Sequence, residues 1–301
     1  MTVSITRRLS NFLKNKAVRV QDWYGPIAKE LLVNQARSGS IRLIVDGTKV
    51  GFGHQLLMVA IAYRKRALPI AWTWVPSNRG HSSAYKQMAL LSYVHQLIPA
   101  DMKVLVVGDG EFGAVDVLKM LDSWHWGCVL RQKASHLVKI KGRNWQPFGN
   151  LVQKAGQSLW LEDALLTQRH AYGVNLLAYW RRGEKEPWLL ATNLRTTQMT
   201  LLAYKRRMWI EEMFGDFKKP GFDLESSHLR HFMRLSRLTL AVVLLYIWLI
   251  SFGSQTIKNG KRRSVDRSDR RDLSIFRIGC NILDRCLSNS LPFSIPLVPY
   301  S

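Results

Sequence analysis

Between residues 204 and 218 the chain reads Tyr204-Lys-Arg-Arg207-Met-Trp-Ile-Glu211-Glu-Met-Phe-Gly-Asp-Phe-Lys218. Wound as an α-helix at about 100° per residue, this stretch sets Tyr204, Arg207, Glu211 and Lys218 within about 60° of one another. One carboxylate then lies among a phenol, a guanidinium and an ammonium. A carboxylate on a helix face suits a hard cation such as Mg²⁺. Cations on the same face suit phosphates, Arg207 as a bidentate fork and Lys218 as a point charge. The combination points to phosphoryl transfer on nucleic acid. Two further acids end apolar runs: Asp46 in Leu-Ile-Val-Asp46-Gly-Thr, and Asp109 in Val-Leu-Val-Val-Gly-Asp109-Gly-Glu-Phe-Gly. Inside a strand either would face a costly burial; at strand ends they can project together from one sheet edge, where open α/β sheets place their ligands. If the strands that carry them are neighbours, their mutual repulsion calls for a cation between them. Glu211 would complete such a site. Glu111 and Asp116 are competing acids, read here as a turn residue and an outward-facing helix start. Glu212 falls about 100° round from Glu211.

The elements that must hold these residues follow from periodicity. Residues 1–40 read as basic helix, broken at Gly25-Pro26, with a second short helix over 27–35. Apolar runs at 41–46, 55–63 and 68–75, joined by short turns, predict an antiparallel meander. A loop at 76–80 leads to a helix capped by Ser82 or Ser83 and running to about residue 98. A buried strand at 103–109, a helix over 112–124 and a short strand at 126–131 give the order β-β-β-α-β-α-β. Residues 132–196 alternate aromatic, basic and apolar positions and read as a β-rich insertion. One helix is expected over 197–218, stopped by Pro220-Gly221, and an apolar helix from about 232 to 250. Residues 258–272 read as a solvated basic tail. A short amphipathic helix, weakened by Gly279, is expected around Ile275, Ile278, Ile282 and Cys286.

Bulk composition narrows the class. The chain has 301 residues, 47% hydrophobic, enough to form a core. With 44 Lys and Arg against 21 Asp and Glu, its net charge is +23 and its pI is near 10.3. Such a chain binds polyanions through counterion release. Eleven Trp and long apolar runs argue against a histone-like or ribosomal binder. Cys128, Cys280 and Cys286 form neither a disulfide framework nor metal-ligand spacing, which fits a reducing, intracellular setting. The N-terminus has no apolar run of signal-peptide length. Residues 238–256 lack charge, but Ser251, Gly253, Ser254 and Gln255 shorten the apolar part, so a buried core helix is expected in place of a membrane span.

On the residues 204–218 and the two aspartate segments, the sequence resembles the DDE-type insertion-sequence transposases, in particular the insertion-sequence-four-like group. That group's signature is Tyr, two residues, Arg, three residues, Glu, six residues, Lys, and Tyr204, Arg207, Glu211 and Lys218 match it. The resemblance covers roughly residues 40–250. It implies an α/β, RNase H-like mixed sheet of three antiparallel strands plus parallel strands, flanked by helices, with a β-rich insertion before the glutamate helix. Segments implied are a basic N-terminal helical segment (1–40), a catalytic core (41–131 and 197–257), the insertion (132–196) and a basic C-terminal tail with a short helix (258–301). It further implies that Asp46, Asp109 and Glu211 bind two Mg²⁺, with Mn²⁺ able to substitute. The two aspartates would hold one ion, and one of them with Glu211 the other. Tyr204, Arg207 and Lys218 would grip phosphates near the transposon end, and Trp188 would stack on a flipped base. The implied activity is metal-dependent hydrolysis and strand transfer at insertion-sequence ends. The implied partners are DNA, as transposon ends and target, and a second protomer on DNA, with no membrane. The implied location is the bacterial cytoplasm, with the nucleoid. Relatives carry a longer N-terminal region that reads the inverted repeat; the roughly 40 residues here suggest a truncated copy or a reduced reader. Rival readings are a nuclease of the same fold that cuts without joining, and an inactive DNA-binding remnant of a mobile element.

Overall fold

A computed structural model of the chain describes residues 2–51, 53–76, 82–218, 221–267, 269 and 271–300, with the side chains of residues 2 and 3 left aside. The expected loop at 77–80 and the helix stop at Pro220 lie outside these residues. The chain divides into two compact units, residues 39–214 and residues 1–38 with 215–301.

Residues 39–214 are built on one ten-stranded sheet. Its strands are β1 (Ile41–Val50), β2 (His54–Tyr63), β3 (Arg66–Pro76), β4 (Val104–Gly108), β5 (Gly127–Arg131), β6 (Leu137–Lys139), β7 (Gln146–Pro147), β8 (Ser158–Leu166), β9 (Tyr172–Tyr179) and β10 (Trp188–Thr192). Their order is β3-β2-β1-β4-β5-β10-β9-β8-β6-β7. β1, β2 and β3 form the antiparallel meander, and β4 and β5 run parallel to β1. The mixed sheet expected from the sequence is therefore present. β2 is buried at nearly every position, as an apolar strand covered on both faces should be. Its hairpin to β3 turns on Arg64 and Lys65, both at positive φ (44° and 64°), a two-residue turn whose twist matches the strands.

The strands between 132 and 196 extend this same sheet, because β10 pairs antiparallel with both β5 and β9. Beyond β10, Asn193 continues the attachment through its side chain. Its Oδ1 accepts from the Cys128 N–H at 2.8 Å, and its Nδ2 donates to the Trp126 carbonyl at 2.8 Å. Two helices, α3 (Ala84–Leu97) and α4 (Val115–Ser123), pack on the sheet and on each other. The chain then enters α5 (Thr197–Tyr204), capped by the Thr196 hydroxyl and packed on β4 and β5.

The single helix expected over 197–218 is interrupted. Residues Lys205–Arg207 form a 3-10 turn, and α6 (Met208–Phe217) resumes after it. Arg207, the last residue of this turn, pairs with acids on the sheet and on α6, as described below. The tighter 3-10 geometry also changes the rotational phase between Tyr204 and Glu211. α6 passes from one unit into the other, since Gly215 begins the second.

The second unit is helical. It holds α1 (Thr2–Lys14), α2 (Val20–Ala36), the last turn of α6, α7 (Phe232–Lys258) and α8 (Ile275–Ser288). The expected break at Gly25-Pro26 does not occur: α2 runs through Pro26. Burial of Tyr24, Gly25, Ala28, Leu31 and Leu32 along one stripe offsets the lost hydrogen bond, and the break falls instead at 15–19, where the Asn15 side chain accepts from the Ala17 N–H. α7 is the most apolar helix. It is long and apolar enough to span a bilayer, yet 67% of its most apolar window is buried within the fold. Arg237 is buried in it, and its guanidinium donates to the carbonyls of Val18 (3.0 Å) and Leu13 (3.1 Å), so it caps the end of α1.

Most described residues of 258–272 are exposed, although Asp266 is buried in a pair with Arg262 at 2.6 Å, and the chain beyond them packs back onto the helical unit. α8 packs along α7, and each helix presents a glycine at the crossing. A methyl group on Gly253 would overlap the Ile275 carbonyl, and one on Gly279 the Leu249 carbonyl. Gly279 therefore permits close packing instead of weakening the helix. The final residues return to α7 as a strap: Trp248 Nε1 donates to the Ile295 carbonyl at 3.3 Å, and Lys258 sits 4.4 Å over the Tyr300 ring.

Gly279→Ala is expected to lower stability by about 1–3 kcal/mol, because two backbones must separate to admit one methyl. Gly215→Ala in α6, where a Cβ meets nothing within 4 Å, serves as the control and should be neutral or stabilising by up to about 1 kcal/mol. Thermal melting of both variants checks the contrast, and equal melting temperatures would contradict it.

Candidate active site

The register of β1 against β4 places the first two acids. Val45 lies opposite Gly108, so the next residues along the two parallel strands are Asp46 and Asp109. Asp46 is buried, 6% exposed. Its Oδ1 accepts from the Gly47 N–H at 2.7 Å. Asp109 leaves β4 at its C-terminal end, and its Oδ1 accepts from the Glu111 N–H at 2.9 Å.

Glu211 arrives from the other side of the sequence on the first turn of α6. Arg207 connects it to the sheet. One guanidinium nitrogen lies 3.2 Å from Asp46 Oδ2 and the other 2.5 Å from Glu211 Oε1. The sequence thus brings Asp46, Asp109, Arg207 and Glu211 to one place. The three acids do not close into a ligand shell of their own: among the described residues no group of three or more His, Cys, Asp or Glu side chains is arranged to hold a metal ion. A guanidinium stands between two of them instead.

The electrostatics show how far that guanidinium succeeds. Burial pushes the Asp46 carboxyl up to about 7, and the Asp109 charge adds to the rise; Arg207 and the Gly47 N–H only partly oppose it. Burial also raises Asp109, against the pull of the Glu111 N–H. For Arg207, burial works against its charge, but Tyr204, Asp46 and Glu211 outweigh it and hold the guanidinium protonated above its ordinary range. The acidic pair therefore remains under-neutralised by the protein's own cations. Three hard oxygen donors with this deficit fit a divalent cation.

Of the other residues singled out in the sequence, Tyr204 lies beside Arg207 and Trp188 beside Tyr204. Tyr204 is buried at the end of α5, with its ring 5.8 Å from the Arg207 guanidinium carbon. Its hydroxyl and Arg207 Nε are buried polar atoms without a hydrogen-bond partner. Burial raises the Tyr204 pKa. Trp188 opens β10 and meets Tyr204 edge-on at 5.0 Å, with Tyr179 at 6.1 Å on its other side. Lys218 stands just past the end of α6 and belongs to the helical unit, where its Nζ lies 3.7 Å from Glu225 Oε1. Glu212, read as off the site, pairs with Arg66 at 3.2 Å.

Two contributors escaped the sequence reading. Arg131 ends β5, and its charge favours the ionised forms of Asp109 and Tyr204. It donates to Glu186 at 2.6 Å and to the Pro187 carbonyl at 3.2 Å. The signal was available, since Arg131 closes an apolar run of the sequence as Asp46 and Asp109 do. Glu111 is the other, and its contacts carry the last inference below.

The expected strand-end position holds for Asp109, which follows β4, but not for Asp46, which lies inside β1 with its ladder to β2 continuing to Val50. Two neighbouring aspartates on parallel strands, facing the arginine of the 3-10 turn and the glutamate of α6, define an acidic site on the sheet. Residues 37–248 match the family model of the transposase DDE domain, and the chain belongs to that family. No curated protein sequence matches the chain. Among solved structures, the fold is similar to piggyBac transposase in a synaptic complex with hairpin DNA, at a TM-score of 0.43 and 11% identity, over 94% of this chain and 66% of that one. It is also similar to Ciona intestinalis endonuclease V, in complex with a 24mer DNA containing an inosine followed by a ribo-adenosine, at a TM-score of 0.33 and 11% identity, over 66% of this chain and 97% of that one. The chain thus spans just under two thirds of the length of that piggyBac transposase chain.

The raised Asp46 pKa has a stability consequence. With a folded value near 7 against an ordinary 3.8, the native state keeps a proton that the unfolded chain has lost. The contribution is full below about pH 4 and is lost as pH rises through 7. Asp46→Asn should remove that slope, so the two proteins, melted in chelator between pH 4 and 8, should show curves that diverge across the window. Parallel curves would mean that Asp46 ionises normally.

Proposed function

We propose that the protein is a DNA transposase of the insertion-sequence type, acting by metal-dependent phosphoryl transfer at transposon ends. The observation that carries this reading is the convergence of Asp46 and Asp109, neighbours by strand register, with Glu211 through the shared Arg207 guanidinium. The family supports the same reading. So does the order of the first five strands, β3-β2-β1-β4-β5, which suits an RNase H-like core. The Tyr204, Arg207, Glu211 and Lys218 spacing favours the insertion-sequence-four-like group.

In this reading Asp46, Asp109 and Glu211 hold two Mg²⁺, or Mn²⁺ in their place. Bound there, the ions supply Lewis acidity that activates a water or a 3′-hydroxyl and stabilises the leaving oxygen. The protein's own residues do the rest by positioning and charge neutralisation. Arg207 and Lys218 take phosphate oxygens of the DNA backbone. The unspent donors on Tyr204 and Arg207 support that role, since a phosphate oxygen would satisfy them. Trp188, wedged against Tyr204 yet not fully buried, offers a ring for a base flipped from the donor end. The net charge of +23 holds the polyanion. Two protomers on paired ends complete the assembly, in the bacterial cytoplasm with the nucleoid.

Glu211→Gln is expected to reduce Mg²⁺- or Mn²⁺-dependent cleavage of plasmid DNA carrying the gene's own flanks by roughly 10²-fold or more, comparable to losing a principal electrostatic group. Retention of that DNA on a filter, and its steep dependence on salt, should stay near wild type. Cleavage at the wild-type rate would remove Glu211 from the mechanism. A wild type that binds DNA but never cuts in any divalent metal would favour the inactive-remnant reading, and one that cuts without joining pre-cut ends would favour the nuclease.

A further inference from the structure

Glu111 stands two residues beyond Asp109 and outside the acidic triad, yet it is the most heavily hydrogen-bonded side chain near the site. Its Oε1 accepts from both the Ser82 N–H (2.6 Å) and the Ser82 hydroxyl (2.5 Å), and its Oε2 accepts from Gln55 Nε2 at 2.8 Å. Its backbone is held as firmly. The carbonyl accepts from Gln87 Nε2 at 3.0 Å, and the N–H donates to Asp109 Oδ1 at 2.9 Å. Gln87 Nε2 also donates to the Ser82 hydroxyl at 2.9 Å. Ser82, Gln55 and Gln87 are all buried.

One residue therefore ties β2, the start of α3 and the Asp109 loop into a single dry network. The network reaches the other strand too. A methyl on Gly47 would lie 2.6 Å from Gln55 Nε2 and 3.2 Å from Glu111 Oε2, so the residue after Asp46 must be glycine for the Gln55–Glu111 bond to form. Three donors already occupy the Glu111 carboxylate, which leaves it committed to holding the loop.

We propose that Glu111 is a positioning residue for the reaction, fixing the Asp109 carboxylate beside Asp46 by clamping the loop between Gln55 and Ser82. The inference rests on the transposase reading above. It makes Glu111 act through Asp109 and not on substrate.

Polarity reversal tests it. Gln55→Glu sets a second carboxylate against Glu111 Oε2, so that bond is lost and no amide flip can restore it. Turnover on plasmid DNA should fall roughly 10–100-fold, the scale of a misplacement near 1 Å, while KM for DNA stays within about twofold because no phosphate contact changes. Mn²⁺ affinity by calorimetry, in the absence of DNA, should weaken by roughly tenfold, the scale seen when a residue orienting a ligand is altered. The double variant Gln55→Glu with Glu111→Gln restores a donor–acceptor pair of opposite sense and should recover most of both losses. Turnover and Mn²⁺ affinity unchanged in Gln55→Glu would overturn the proposal. So would a double variant no better than the single, with melting temperature and activity falling together, because that pattern belongs to a purely structural residue. A wild type that fails to cut defeats the transposase reading itself, whereas a wild type that cuts no faster than Gln55→Glu defeats only this inference.

Discussion

The Arg207 guanidinium reaches a carboxylate on β1, 161 positions back in sequence, and joins it to a carboxylate on α6. The candidate site depends on that bridge. The sheet alone presents two acids of like charge side by side, Asp46 buried within β1 and Asp109 half-buried just past β4, an arrangement that resists ionisation. A single planar cation with two faces for hydrogen bonding neutralises one of them and draws in the third acid. It does so incompletely, because burial and Asp109 still raise Asp46 toward neutrality. The folded state thus carries an electrostatic deficit at Asp46 and Asp109, of the sign that a divalent cation relieves.

The helical unit depends on a different constraint, the approach distance of two backbones. α7 and α8 meet where each lacks a side chain, and the apolar surface of α7 is spent on contacts within that unit. The same composition that makes α7 resemble a membrane span lets it serve as a packing core, with Arg237 satisfied by carbonyls at the end of α1. The desolvation of this guanidinium is offset by two carbonyls, Leu13 in the last turn of α1, which would otherwise lack a partner, and Val18 just beyond it.

Much of this architecture was legible in the sequence because strands and strand ends announce themselves locally. The meander, the two aspartates and the strand-helix-strand passage after β4 follow from apolar runs and short connections, and adjacency of Asp46 with Asp109 needed only the pairing of β1 with β4. Tertiary forces decided what local patterns missed. α2 runs through Pro26 because its buried stripe outweighs one absent hydrogen bond. Gly279 reads as a weakness until its facing carbonyl is seen. Glu111 reads as a turn residue because Ser82 and Gln55, which give it a role, lie 29 and 56 positions away.

The 3-10 turn at Lys205–Arg207 carries a further consequence. It is the joint between a helix seated on the sheet and a helix carrying the distant carboxylate. A one-residue insertion or deletion between Tyr204 and Glu211 would swing that carboxylate by about 100°, away from the bridge. Drift along a lineage can therefore lengthen the loops between β6 and β9 with little effect on the acids. The count of residues from tyrosine to glutamate behaves instead as a vernier, tolerating changes of identity but not of number.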